Sequence, residues 1–331
     1  MDFILSSASV EHPSGEGGRF ASIRSAVRRT VRLFQYDVWN IGVVQQAAED
    51  IVRRGIAVAP SWLPPQGPGQ YLADPAYRAN ADGSCRIFAE FLDHYDGGKG
   101  EIWCADVEAG ESLAGARFRP LLRFPHHASY PFPISDGTGR NLLTAETCQA
   151  NGALLWEDQE SPKLLGPIIS EYAIVDPTLW QQDGRWFLFC CLADHNPEEG
   201  LFLFHAPALA GPWTPHPDNP VRRGFMGSRP AGPLFKADGK LIRPGQDCSQ
   251  EYGGAVILYE VTRLDGAGYA EVPVRRLDPC KGQYGAGLHT ICPAGDATLI
   301  DGKSWRIGVR ANLHSIRRRV MANKPSGRTE G

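Results

Sequence analysis

From Tyr36 onward, short apolar runs alternate with polar breaks rich in Gly, Pro and Asp, and few stretches keep a helical period. The clearest unit is Ile174–Cys191, IVDPTLWQQDGRWFLFCC. An apolar run opened by Asp-Pro turns at Asp183-Gly184 and returns as an aromatic run. Asp and Gly tolerate the positive φ of a tight turn, so Asp-Gly between two apolar runs predicts an antiparallel hairpin. Aromatic side chains in the return run suit a pleated, buried surface. The pattern recurs at Ala73–Glu90, Ser129–Glu146 and Ser228–Asp247. A weaker copy, Leu288–Gly302, lacks the proline and carries its Asp-Gly at Asp301-Gly302. The lead residues Asp74, Tyr130, Asp176, Arg229 and His289 fall about 50 residues apart. One hairpin signature per unit predicts radial repetition, and five copies predict an all-β, five-bladed β-propeller.

Outside the repeats, Tyr36–Val44 (YDVWNIGVV) reads as a strand that closes the last blade. Val44–Gly55 is the best helical candidate, with Gly55 able to end it. Residues 1–35 read as a polar, partly disordered arm and 312–331 as a disordered tail, leaving the propeller at 36–311. The opening lacks the apolar segment of a secretory signal, which predicts a cytoplasmic protein. No apolar run is long enough for a membrane span. A net charge of −3 gives no general affinity for nucleic acid. The eight cysteines form no CxxC and no zinc spacing, and read as reduced, buried thiols. Trp103, Trp156, Trp180 and Trp186 are expected to pack between blades. Trp62 and Trp213, in Pro-rich loops, are candidates to stack on a sugar ring.

The series ADP…DG, SYPF…AET, VDPTLW…DGRWFLF, GPWTPHPDNP, SRPAG…RPGQDCS and GLHT resembles the propeller domain attached to glucosamine inositolphosphorylceramide transferases, over roughly residues 36–305. That domain is in turn similar to the five-bladed propellers of glycoside hydrolase families 43, 32 and 68. The resemblance implies a carbohydrate-active propeller, a glycoside hydrolase or transglycosylase acting on a sugar or glycoconjugate. The alternative is a non-catalytic propeller that binds a glycan or glycolipid headgroup in polysaccharide or glycolipid biosynthesis, beside proteins of a glycosyltransferase pathway.

Glycoside hydrolysis needs two carboxyl groups across the scissile bond, with their proton affinities held apart by neighbours. A propeller supplies them from the inner strands that line its funnel. The carboxylate candidates are Asp74 (base or nucleophile), Asp176 (second axial carboxylate), and Glu146 or Asp247 (general acid). Tyr130, Arg229, Arg243, His289, His127 and Gln246 are candidates for substrate binding, with Arg229 and Arg243 suited to planar anions. Tyr130 stands where the family 43 pattern has a second axial Asp. No cofactor is required; the resemblance leaves room for a central Ca2+ or other cation with His289 as a ligand.

Overall fold

The computed structural model describes residues 35–135, 139–147 and 153–308. Nearly all of the N-terminal arm, and the tail from Asn312, lie outside them. The propeller is the compact unit Asp37–Trp305.

In chain order, β1 (Gln35–Val44) leads through helix α1 (Ala48–Arg54) to β2 (Ser61–Trp62). Blade one is β3 (Gln70–Ala79), β4 (Cys85–Asp93), β5 (Gly100–Val107) and β6 (Arg119–Leu122). Blade two is β7 (Ser129–Ser135), β8 (Asn141–Glu146), β9 (Ala153–Glu157) and β10 (Lys163–Pro167). Blade three is β11 (Ile174–Gln182), β12 (Arg185–Leu192), β13 (Gly200–Ala206) and the short β14 (Thr214–Pro215) and β15 (Arg222–Arg223). Blade four is β16 (Met226–Pro230), β17 (Phe235–Ala237), β18 (Lys240–Asp247), β19 (Ala255–Leu264) and β20 (Tyr269–Leu277). Blade five joins β21 (Ile291–Ala294) and β22 (Ala297–Ile307) to β1 and β2, in the order β2-β1-β22-β21. The YDVWNIGVV strand thus closes the last blade, and five antiparallel sheets make a five-bladed propeller.

The turns follow the sequence signals. Asp183-Gly184 and Asp238-Gly239 both have two positive φ angles, the mirror-image turn whose twist suits a hairpin. The fifth copy differs. Its turn falls at Gly295-Asp296, between paired Ala294 and Ala297, so Asp301-Gly302 lies inside β22. Helix α1 is shorter than expected, because Val44 stays in the β1 ladder and the chain bends before Ala48. Gly55, at φ +78, donates its N–H to Ile51 O and ends it.

Apolar side chains fill the seams between blades rather than the axis. Phe88, Ile102 and Trp156 lie in the seam of blades one and two. Ile134, Leu179 and Leu188 join two to three, and Phe187, Leu203 and Leu234 join three to four. Ile242, Leu258 and Ile300 join four to five, where Ile51 of α1 also docks. Val43, Leu299, Ile87 and Val107 close five to one. Trp156, Trp180, Trp186 and Trp103 pack here as expected. Trp62 and Trp213 are packing residues too: Trp62 lies against Tyr284 with ring centroids 4.8 Å apart. Trp213 packs on the seam of blades two and three and donates to Leu209 O. The seven described cysteines are free. Burial pushes the adjacent thiols of Cys190 and Cys191 up, which leaves them inert as nucleophiles.

One seam contact is tight enough to test. At Gly232, φ is +113 and a Cβ would lie 2.1 Å from Ile291 O, while Ile291 N–H bonds Ala231 O across blades four and five. Gly232→Ala therefore lowers stability by about 3 kcal/mol, from backbone strain plus overpacking. Thermal unfolding checks it: an unchanged midpoint would mean that the seam yields without cost.

Candidate functional site

The lead residues reach the axis through one repeated irregularity. In blade one the register jumps from Ala73↔Glu90 to Ala76↔Phe88, so Asp74 and Pro75 bulge opposite Ala89. Tyr130-Pro131 bulges opposite Ala145 and Asp176-Pro177 opposite Cys190 in the same way. Proline suits the bulge because it has no N–H to leave unpaired. The residue before it takes the left-handed conformation, with φ 51, 49 and 50 at Asp74, Tyr130 and Asp176. Asp adopts that conformation at small cost, whereas Tyr130 carries real strain. A bulge re-aims its side chain, and this one turns the three lead residues toward a common axis.

The bulge also frees the lead residue's N–H from the ladder, and a carboxylate of the preceding blade takes it. Asp74 N–H donates to Asp301 Oδ2 (3.2 Å), Tyr130 N–H to Asp74 Oδ2 (3.3 Å) and Asp176 N–H to Glu146 Oε2 (3.1 Å). Three acidic side chains thus stitch blades five to one, one to two and two to three. Between blades three and four an ion pair does the same work. Arg229 Nε lies 2.6 Å from Asp176 Oδ2, off the hydrogen-bond line, and Nη2 donates to Oδ1 at 3.3 Å. The guanidinium also lies over the Tyr252 ring, 4.9 Å from its centroid. Its neighbouring carboxylate more than offsets the cost of burial and holds its proton affinity far above normal.

Blade five contributes an imidazole. His289 Nδ1 is 2.5 Å from Asp301 Oδ2, and Nε2 faces Asp74 Oδ1 at 3.6 Å. Asp301 Oδ1 accepts the N–H groups of His289 and Thr290 (3.0 and 2.9 Å). Thr290 Oγ1 donates to Asp74 Oδ1 (3.1 Å). Trp39 stacks on the His289 ring at 3.9 Å and Tyr252 meets it edge-on at 5.4 Å. Burial lifts the Asp74 carboxyl to about 6, against the pull of His289 and with the push of Asp301 and Asp176. Burial works to lower His289, but Asp301 and then Asp74 more than offset it, so its proton affinity is raised.

Of the predicted residues, Asp74, Tyr130, Asp176, Glu146, Arg229 and His289 meet in this network. Tyr130 supplies its backbone and a buried phenol, bonded to Thr178 Oγ1 and accepting from Gly232 N–H. His127 stands beside blade one, where Nδ1 accepts from Gly100 N–H and Nε2 lies 3.6 Å from Glu90. Three expectations are corrected. Asp247 pairs with Arg276 of β20 and accepts from Ser249 N–H. Arg243 is enclosed, with Nε and Nη2 bonded to Glu271 at 2.7 and 2.8 Å and its plane over Tyr259. Gln246 donates to Pro230 O within its own blade. All three partners come from within blade four, Glu271 and Arg276 from β20 and Pro230 from β16, and the β16–β18 register of this blade runs from Met226↔Asp247 to Pro230↔Gly245, a longer bulge than the others.

The axial residues missed in the sequence are Asp301, Trp39, Thr290 and Tyr252. Trp39 could have been found by pairing YDVWNIGVV with the blade that carries His289. As a cation site, Asp74, His289 and Asp301 bring one ligand atom each within 4.8 Å of one another. Yet Asp301 already accepts three N–H groups and faces the imidazole, and each oxygen of Asp74 accepts one donor. Ca2+ wants six to eight oxygen ligands, and this set does not fit it.

Fold and axis together define a class: a five-bladed β-propeller with a buried acid–imidazole–arginine site where the blades meet. Within it the chain belongs to the family described as glucosamine inositolphosphorylceramide transferase 1, N-terminal, which matches residues 99–285. The glucosamine inositolphosphorylceramide transferase 1 of Oryza sativa subsp. japonica is 38% identical over 155 residues, covering 45% of this chain and 21% of that protein. The Arabidopsis thaliana protein of the same name is 28% identical over 221 residues, covering 62% and 28%. The matched region is therefore well under a third of these relatives' length. Among solved structures, the family 117 glycoside hydrolase Zg3597 of Zobellia galactanivorans aligns at TM-score 0.48 and 13% identity over 71% of this chain and 84% of its own. The Coprinopsis cinerea GH62 α-L-arabinofuranosidase catalytic domain aligns at 0.49 and 11% over 68% and 78%. No described helix is long and apolar enough to cross a membrane.

Proposed function

We propose that the chain is a sugar-recognition propeller that takes a glycan or glycolipid headgroup at its axis, alongside proteins that build glycoconjugates. The observation that carries this reading is the use of the carboxylates. Asp176 is pinned by Arg229, Asp247 by Arg276, and Asp74 and Glu146 each cap a neighbouring blade's N–H. A glycosidase needs two unencumbered carboxyls, one to donate a proton and the other to activate water or attack directly. The relatives' name joins glucosamine with inositolphosphorylceramide, so an amino sugar and an inositol phosphate are the first ligands to try.

Hydrolysis is the second reading, and one observation favours it. Asp74 is buried and lifted to about 6, as suits a group that trades protons near neutrality. A panel of aryl glycosides and a titration of free sugars, run on wild type, Asp74→Asn and Asp176→Asn, separates the two. Binding without turnover, weakened at least about ten-fold (1.4 kcal/mol) by Asp74→Asn in a folded protein, is the expected result. Turnover abolished by the same substitution would replace recognition by catalysis. Neither binding nor turnover would sink both.

A further inference from the structure

The axial cluster carries more acid than base. Asp74, Asp176, Asp301 and Glu146 stand against Arg229 and His289. Of the other charges nearby, Lys303 lies 5.5 Å from the Trp39 ring centroid and donates to Glu251 and to Tyr252 O, and the buried Glu90 lies 3.6 Å from His127 Nε2. Asp301 is the fixed member. Its side chain has no exposure, it accepts three N–H donors, and its Oδ2 lies 2.5 Å from His289 Nδ1, the geometry of an Nδ1–H donated to this carboxylate. The remaining proton of the cluster then lies between His289 Nε2 and Asp74 Oδ1. Asp74 and Arg229 are the cluster's charged side chains with most solvent access, at 10% and 16%.

We infer that Asp301, His289 and Asp74 form one proton-sharing unit that binds a cationic amino sugar in exchange for that proton. An ammonium group placed beside Asp74 competes with Nε2–H for the same oxygen. It stabilises the carboxylate, and the imidazolium gives its Nε2 proton to solvent. One positive charge enters and one leaves, so neither the buried carboxylates nor Arg229 is left uncompensated. A neutral N-acetyl sugar has no charge to exchange and leaves the proton in place. An inositol phosphate brings a negative charge into an already acidic site and binds more weakly than either. Asp301 is a positioning residue here, since it acts through His289.

This inference rests on the sugar-site reading, and its test separates the two. Glucosamine and N-acetylglucosamine are titrated into the full chain by calorimetry, in buffers of different ionisation heat, from about pH 5 to about pH 7, where the sugar amine still carries its proton. In parallel, nitrogen-15 imidazole spectra follow His289. The expected result is that glucosamine binds about ten-fold more tightly than its N-acetyl form at the upper pH, with the preference lost at the lower, as one proton per site is displaced. His289 keeps Nδ1–H throughout, and Asp74→Asn lowers its midpoint by about one unit. In His289→Gln the proton release disappears. Equal affinity for the two sugars with no proton release overturns the exchange while leaving sugar binding intact. Failure of every sugar to bind sinks the sugar-site reading and this inference with it. Stoichiometric binding of Ca2+ or Zn2+ at the His289 ring, seen in the same spectra, also overturns it.

Discussion

Arg229→Met lowers the stability of the propeller by about 3–5 kcal/mol, the cost of leaving a buried carboxylate without its partner. Asp176 is almost fully enclosed, and Arg229 contacts both of its oxygens. Methionine fills much of the same volume but supplies no charge, so the loss is electrostatic rather than a cavity. Adding Asp176→Asn removes the stranded charge and restores most of the loss, because a neutral amide needs only hydrogen-bond partners. Chemical denaturation of the wild type, both single variants and the double variant gives the coupling directly. Additive losses would mean that the pair contributes nothing as a pair, and that blades three and four are joined by apolar packing alone.

Asp74→Asn raises stability at about pH 9 by roughly 1–3 kcal/mol while it weakens ligand binding at least about ten-fold. The Asp74 carboxyl rises from 3.8 to about 6 on folding, chiefly through burial. A group raised in this way stabilises the fold fully below its unfolded value, and that contribution is lost as pH rises through about 6. Above that pH the native state holds a carboxylate that it would rather protonate, and asparagine removes the penalty. His289 acts in the same direction, since its raised proton affinity favours the fold only while the ring is protonated. The gain is therefore confined to the alkaline side and vanishes near pH 4. A gain of equal size at both ends would point to packing instead of charge.

Most of the architecture was legible because its signals are local. Asp-Gly favours a tight turn, of the mirror-image type in blades three and four, and a residue followed by proline at a strand start marks a bulge. The proline signal recurs at the bulges of blades one to three, so Asp74, Tyr130 and Asp176 were found together with the fold. Closure by residues 36–44 followed from a strand left over when the repeats were counted. What stayed hidden depends on register. Asp247 and Arg243 share a strand with the expected motif, but Arg276 and Glu271, two strands away on β20, hold them within blade four. Asp301 was hidden by an Asp-Gly pair that looks like a turn and sits inside β22, one turn signal later than the real hairpin at Gly295. Trp39 and Tyr252 acquire meaning only once His289 lies between them.

The last blade takes two strands from each end of the propeller chain. Among the propeller's strands β1 is made first, carrying the apolar Ile41, Val43 and Val44, and its ladder partner β22 is made last. For that whole interval the edge of β1 that β22 will take stays open and is able to join any exposed strand. Asp74, Tyr130 and Asp176 are made early, but His289 and Asp301 arrive only with the closing blade. A prematurely terminated chain would thus display bulged, acidic inner strands without the imidazole that shares their proton. The ring and its chemistry are completed by one late event, the capture of the first strand by the last.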